Sequence, residues 1–152
     1  MHKVDGERLV LDAGGTVLRT SMVYGAGREG AVDQIAHLLR QGNLEVSQTH
    51  LTTPTWADDL AWLVERVAET RTSGIVHAAG PQTWTRFDVA RLVAETVGLP
   101  EDRVRPAPAA ANPARASRPE RCGLVVDRAR EWFSYDPTPL PESLARHFAR
   151  RG

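Results

Sequence analysis

Cysteine is almost absent from this sequence. Cys122 is the only one, which excludes an internal disulfide and any zinc site built from several cysteines. It sits in no Cys–His arrangement, so nucleophilic thiol catalysis is not expected. Surplus charge is absent too: nineteen Lys+Arg balance nineteen Asp+Glu. A globally basic nucleic-acid binder is therefore excluded, because phosphate affinity rests on excess cationic charge. No apolar run approaches the roughly 18–20 residues a membrane span needs, and no signal peptide opens the chain, which points to a cytoplasmic protein. His2, His37, His50, His77 and His147 show no metal-ligand spacing, so no metal site is expected. Lysine is the last scarcity, with Lys3 alone among eighteen arginines.

What is present reads as a globular chain. The 152 residues fit one domain, 1–152, with 41% hydrophobic and 25% charged residues. Segments 3–13, 28–41, 56–69, 84–98, 127–133 and 139–150 read as helices. In 56–69, Leu60, Leu63, Val64 and Val67 recur at i, i+3, i+4, i+7, with acids early and Arg66 late. Thr55 precedes that helix as its expected N-cap. In 84–98, Thr83 or Thr85 can cap, Phe87, Ala90, Leu92, Val93 and Val97 face inward, and Gly98 then Pro100 end the helix. Short β-branched runs at 16–18 leading into 22–24, at 44–46 and at 75–79 read as buried strands. Helices alternating with such strands predict an α/β fold with a short, mostly parallel sheet.

Eight of the ten prolines lie between Pro100 and Pro141. Proline withholds ladder donors and pushes its neighbours toward extended backbone. The stretch 100–123, rich in proline and arginine, is therefore expected to be a loop, either a surface connector or a ligand-facing flap. The glycines at 25, 27 and 30 have G-x-G-x-x-G spacing, but they follow a Tyr-Gly turn with only Glu45 as a possible ribose partner. They read as a flexible turn rather than a dinucleotide loop. Three or four strands are few for a sheet buried on both faces, so the chain looks like half of a larger design.

Four ordered segments carry a resemblance: Lys3-Val-Asp-Gly-Glu7, Val17-Leu-Arg-Thr-Ser-Met-Val-Tyr-Gly25, Thr53-Pro-Thr-Trp-Ala-Asp-Asp-Leu-Ala61 and Gly74-Ile-Val-His-Ala-Ala-Gly80. Their order and spacing resemble the C-terminal half of extended short-chain dehydrogenases/reductases, a Rossmann-like family. Within it they look most like the dTDP-4-dehydrorhamnose reductases, whose patterns read close to RTSWVYG, PTYAPDLA and YHLAG. Arg118-Pro119, the stretch 124–127 and the closing helix are similar to that family's tail.

The resemblance implies NADPH or NADH as cofactor and a nucleotide-activated sugar as ligand. It makes Lys3 the catalytic and cofactor-binding lysine, with Gly6 and Glu7 at the expected offsets. Its partner Tyr would fall two positions ahead of Met1, together with the dinucleotide-binding half. Such a lysine lowers the pKa of the Tyr hydroxyl and binds the nicotinamide ribose, so alone it has no acid to tune. The other reading of Lys3 is an ordinary solvated residue near an N-terminus.

By the same resemblance Thr20 and Ser21 face the cofactor and Met22 the sugar, or the two hydroxyls merely end the strand. Met22 stands where those reductases carry an aromatic, usually Trp, that stacks on the sugar. Thr53 and Trp56 sit at a helix N-terminus suited to an anion, or Thr55 caps it while Trp56 packs. Arg115 and Arg118, with Arg121, can clamp a diphosphate or belong to a solvated loop. Tyr24 and His77 read as core residues, and Asp58 and Asp59 as acids complementing a helix dipole.

Three outcomes follow. The chain completes a sugar-nucleotide reductase with a separately supplied N-terminal half. Alternatively it is a non-catalytic binding or regulatory module, as in the regulatory subunit of methionine adenosyltransferase. Or it is a truncated remnant with a sticky sheet edge. That edge makes a homodimer conceivable in each case.

Overall fold

The computed structural model describes residues 2–25, 27, 29–107 and 121–151. Among the described residues, six α-helices alternate with short strands, as expected. Helix α1 (His2–Asp12) leads through a glycine turn into β1 (Thr16–Arg19), and β2 (Val23–Tyr24) and α2 (Ala31–Gln41) follow. Then come β3 (Leu44–Val46), β4 (Leu51–Thr52), β5 (Thr55–Trp56), α3 (Ala57–Thr70) and β6 (Gly74–His77). The chain continues with β7 (Trp84–Thr85), α4 (Arg86–Thr96), a 3-10 turn (Glu101–Arg103), β8 (Val104–Pro106), β9 (Arg121–Cys122), α5 (Asp127–Phe133) and α6 (Leu140–Ala149).

Four of the five strand pairings among the described residues are parallel. They form four small ladders rather than one continuous sheet: β1–β6, β2–β5, β3–β8 and β7–β4–β9. Strand β1 pairs with β6 from Thr16↔Gly74 to Arg19↔His77, with α3 in the crossover between them. That is the βαβ arrangement demanded by parallel neighbours.

The packing divides into two clusters. One gathers Tyr24, Val32, Ala36, Leu39, Trp56 and the inner faces of α4 and α6. The other joins Leu63, Val76, Ala78, Ala79, Val126, Ala129, Phe133 and Tyr135. On α3, Leu63 is buried with Leu60 and Val67 against its cluster, but Val64, assigned inward by its spacing, is half exposed. Helix α4 follows expectation at both ends: the Thr85 hydroxyl accepts the Asp88 N–H at 3.0 Å, and Gly98 takes a left-handed φ of 69°.

Three sequence expectations need correction. Residues 100–123 are not loop throughout. Val104 is buried, and β8 pairs with β3 in register Leu44↔Val104 to Val46↔Pro106, where a terminal proline costs no ladder donor. Thr55 does not cap α3. Trp56 takes that position, and the Thr55 hydroxyl turns inward instead. His77 is only half-buried, with Nδ1 3.0 Å from the Val125 carbonyl.

Candidate functional site

The carboxyl end of β1 runs straight into Thr20-Ser21-Met22 before the chain enters β2. Ladders β1–β6 and β2–β5 are both parallel, so the ends of β1 and β6 and the start of β5 meet at one place. The Ala78 N–H donates to the Arg19 carbonyl at 2.8 Å, and the chain then passes Gly80 against Pro54. A Cβ at Gly80 would overlap the Pro54 carbonyl oxygen, so only glycine lets the two backbones approach this closely.

Five hydroxyls line this junction. Thr20 Oγ1 donates to Thr55 Oγ1 at 3.2 Å, and Thr55 Oγ1 donates to the Ser21 carbonyl at 2.6 Å. Ser21 Oγ lies 3.1 Å from Thr52 Oγ1, and Thr53 Oγ1 accepts the Leu124 N–H at 2.8 Å. Thr53 and Thr55 are fully buried, Ser21 is half-buried and Thr20 is exposed. The junction is thus polar, neutral and open on the Thr20 side. Met22 takes a left-handed φ of 45°, unusual for a residue other than glycine and costing on the order of 1–3 kcal/mol. Its side chain packs against the α2–α4–α6 cluster.

Lys3 lies exposed on α1. One turn later Glu7 holds Arg19 bidentately, at 3.0 Å to Nε and 2.6 Å to Nη2. The Arg19 guanidinium lowers the Glu7 carboxyl below the usual carboxylate range. Lys3 lies one helical turn before Glu7, and the Glu7–Arg19 pair ties α1 to the end of β1 that Thr20 follows.

The remaining candidates fall elsewhere. Trp56 is 2% exposed and packs in the core, 5.5 Å from the Tyr24 ring and 6.0 Å from the His147 ring. It therefore faces away from the hydroxyl row. Thr53 contributes to the row but spends its oxygen on the Leu124 N–H. Arg115 and Arg118 lie outside the described residues. Tyr24 is a core residue as expected. Burial foremost pushes its phenol up to about 12, despite a hydrogen bond with Ser143, so it is no acid at neutral pH.

Gly30 precedes α2, and its N–H donates to the Asp33 carboxylate at 2.8 Å. Asp33 also meets buried His147 Nε2 at 2.8 Å and Arg151 Nη1 at 3.2 Å, which ties α6 to α2. Among the described residues no group of His, Cys, Asp and Glu has metal-binding geometry.

Sequence reasoning missed Thr52 and Thr55 as members of the row, and missed the His147–Asp33 tie. Thr55 was visible only as a helix-start signal. Its contact with residues 20–22, thirty-odd positions away in the chain, has no local signature.

Comparison with known proteins gives these positions a context. The family model described as the RmlD substrate binding domain matches residues 1–151. A Streptomyces antibioticus protein named probable dTDP-4,6-dihydroxy-2-methyloxan-3-one 4-ketoreductase is 36% identical over 166 aligned positions, covering 99% of this chain and 56% of that protein. The dTDP-4-dehydrorhamnose reductase of Mycolicibacterium smegmatis is 33% identical, covering 85% of this chain and 41% of its own. The crystal structure of dTDP-4-dehydrorhamnose reductase from Bacillus anthracis in complex with NADP superposes with a TM-score of 0.82 at 20% identity, over 99% of this chain and 54% of that one, a likeness of fold. The chain spans about half the length of the relatives it matches. By sequence from end to end, this chain belongs to the RmlD substrate-binding-domain family.

Proposed function

We propose that this chain is the sugar-nucleotide-holding half of an NAD(P)H-dependent reductase acting on a dTDP-4-keto-deoxysugar. The observation that carries this reading is the hydroxyl row Thr20–Ser21–Thr52–Thr55 at the carboxyl end of β1. Ligands of open α/β sheets bind beyond the carboxyl ends of the strands, which is where these groups gather.

The chemistry of the donor set fits the nicotinamide-ribose end of such a cofactor. An ammonium at Lys3 suits ribose hydroxyls, and Thr20 and Ser21 suit amide or sugar groups. At the start of α2 the Gly30 N–H is taken by the Asp33 carboxylate. A dinucleotide-binding half, on a separate or continuous polypeptide, is part of the proposal, along with the Tyr that Lys3 would serve. The cofactor, when bound, supplies the hydride. Lys3 lowers the pKa of that Tyr so that it can pass its proton to the substrate oxygen.

Arg115 and Arg118 are the proposed diphosphate clamp. In support, the segment carrying them begins at β8 and returns at β9, where Thr52 pairs with Cys122 and Thr53 accepts the Leu124 N–H. Met22, in place of a stacking aromatic, is the proposed sugar contact, through the part of its thioether side chain that the α2–α4–α6 cluster leaves uncovered.

The test is NADPH oxidation with a dTDP-4-keto-6-deoxyhexose, using the chain combined with a dinucleotide-binding half. Turnover that falls about 100-fold or more in Lys3→Ala supports the reductase. Sugar-nucleotide binding without turnover, unchanged by Lys3→Ala, supports a binding module instead. Neither binding nor turnover overturns both.

A further inference from the structure

The Thr55 side chain makes contacts that a cap or a core filler does not need. The Thr55 hydroxyl donates to the Ser21 carbonyl at 2.6 Å, while the Thr55 backbone N–H donates to the Met22 carbonyl at 3.2 Å. The same hydroxyl accepts from Thr20 Oγ1 at 3.2 Å. One fully buried residue thus holds three consecutive residues of the exposed β1–β2 connection, including Met22 in its left-handed conformation.

The direction of these bonds is forced. A carbonyl only accepts, so the Thr55 proton belongs to the Ser21 carbonyl, with the Thr53 carbonyl at 3.2 Å as a weaker second acceptor. Thr55 Oγ1 can then only accept from Thr20, so the Thr20 proton points inward. What Thr20 shows to solvent is its lone pairs.

We infer that Thr55 is a positioning residue that fixes Thr20 as a hydrogen-bond acceptor and holds Ser21 and Met22 in place for the ligand. The inference rests on the proposed sugar-nucleotide reading and deepens it: the ligand group that meets Thr20 is an O–H or N–H donor, such as a hexose hydroxyl. A ligand presenting only an acceptor at that point meets repulsion between lone pairs.

The experiment compares wild type, Thr55→Val, Thr55→Ser and Thr20→Val by two readouts. The first is calorimetric binding of dTDP-glucose and of dTDP without the sugar. The second is hydrogen exchange of the backbone amides at residues 20–24. Thr55→Val is expected to weaken dTDP-glucose about tenfold while leaving dTDP within twofold, and to speed exchange at residues 20–24. Thr55→Ser restores both. Thr20→Val, at an exposed position where folding is not at risk, reproduces the binding loss without the change in exchange. Equal losses for dTDP and dTDP-glucose, or a Thr55→Val chain with wild-type binding and exchange, overturn the inference. Should Thr55→Val fail to fold, Thr20→Val decides through the dTDP-glucose against dTDP comparison. If the wild-type chain binds neither ligand, the sugar-nucleotide reading fails, and exchange at residues 20–24 in Thr55→Val against Thr55→Ser still judges the clamp.

Discussion

Two aspartates show how differently one side chain can be used. Burial works against the charge on Asp33, but the Gly30 N–H, His147 and Arg151 outweigh it and hold the carboxyl below its ordinary range. Burial pushes the Asp59 carboxyl up, even though it accepts from the Thr138 N–H at 2.7 Å and the Thr138 hydroxyl at 3.0 Å. The signs for stability are opposite. Asp33, depressed in the folded state, contributes stability that is fully present above its unfolded pKa and is lost as pH falls through its folded value. Asp59, raised in the folded state, costs stability when ionised, and the cost is relieved as pH falls through its folded value. Asp33→Asn is therefore expected to lose about 1–3 kcal/mol at pH 7, with the gap to wild type closing near pH 3. Asp59→Asn is expected to be at least as stable as wild type at pH 7. Denaturant melts at the two pH values check both, and a constant Asp33→Asn deficit across pH would contradict the assignment.

At the level of elements, α1 stands apart. None of its residues is buried, and Leu9 is 72% exposed alongside Val4 and Val10. What holds it is the tight glycine turn into β1 and the exposed Glu7–Arg19 pair. Exposed ion pairs contribute little, so α1 has few restraints against local opening. Its amides are expected to exchange faster than those of α4, which buries Val89, Ala90, Val93 and Ala94. Pulsed exchange read by mass spectrometry decides this, and protection of α1 equal to α4 would show the helix held by contacts beyond those described.

The sequence was most legible at this level. All six helices were foreseen, because apolar spacing, the Thr85 cap and the Gly98 stop are local signals that survive in the fold. Strands β4, β5, β7 and β9 were invisible, being two-residue ladders whose pairing depends on partners far away in sequence. Strand β8 was hidden for a different reason: its proline-rich surroundings read as loop, yet Val104 reaches the core and β3 pairs along it. At the site, Thr20 and Ser21 stood out through the order of motifs. The role of Thr55 did not, since a threonine before a helix reads as a cap until the tertiary contact is known.

Taken as a whole, the molecule gathers a hydroxyl row at the carboxyl end of β1, with β9 paired beside it to β4. No helix among the described residues is long and apolar enough to cross a membrane. If this end of the sheet receives a nucleotide-activated sugar, as proposed, amide chemical-shift mapping of the isotope-labelled chain titrated with dTDP-glucose shows it directly. Saturable shifts at Thr20, Ser21, Met22 and Thr55, strongest on the β1–β2 connection, are expected. Shifts confined to other faces, or none up to about millimolar ligand, would contradict it.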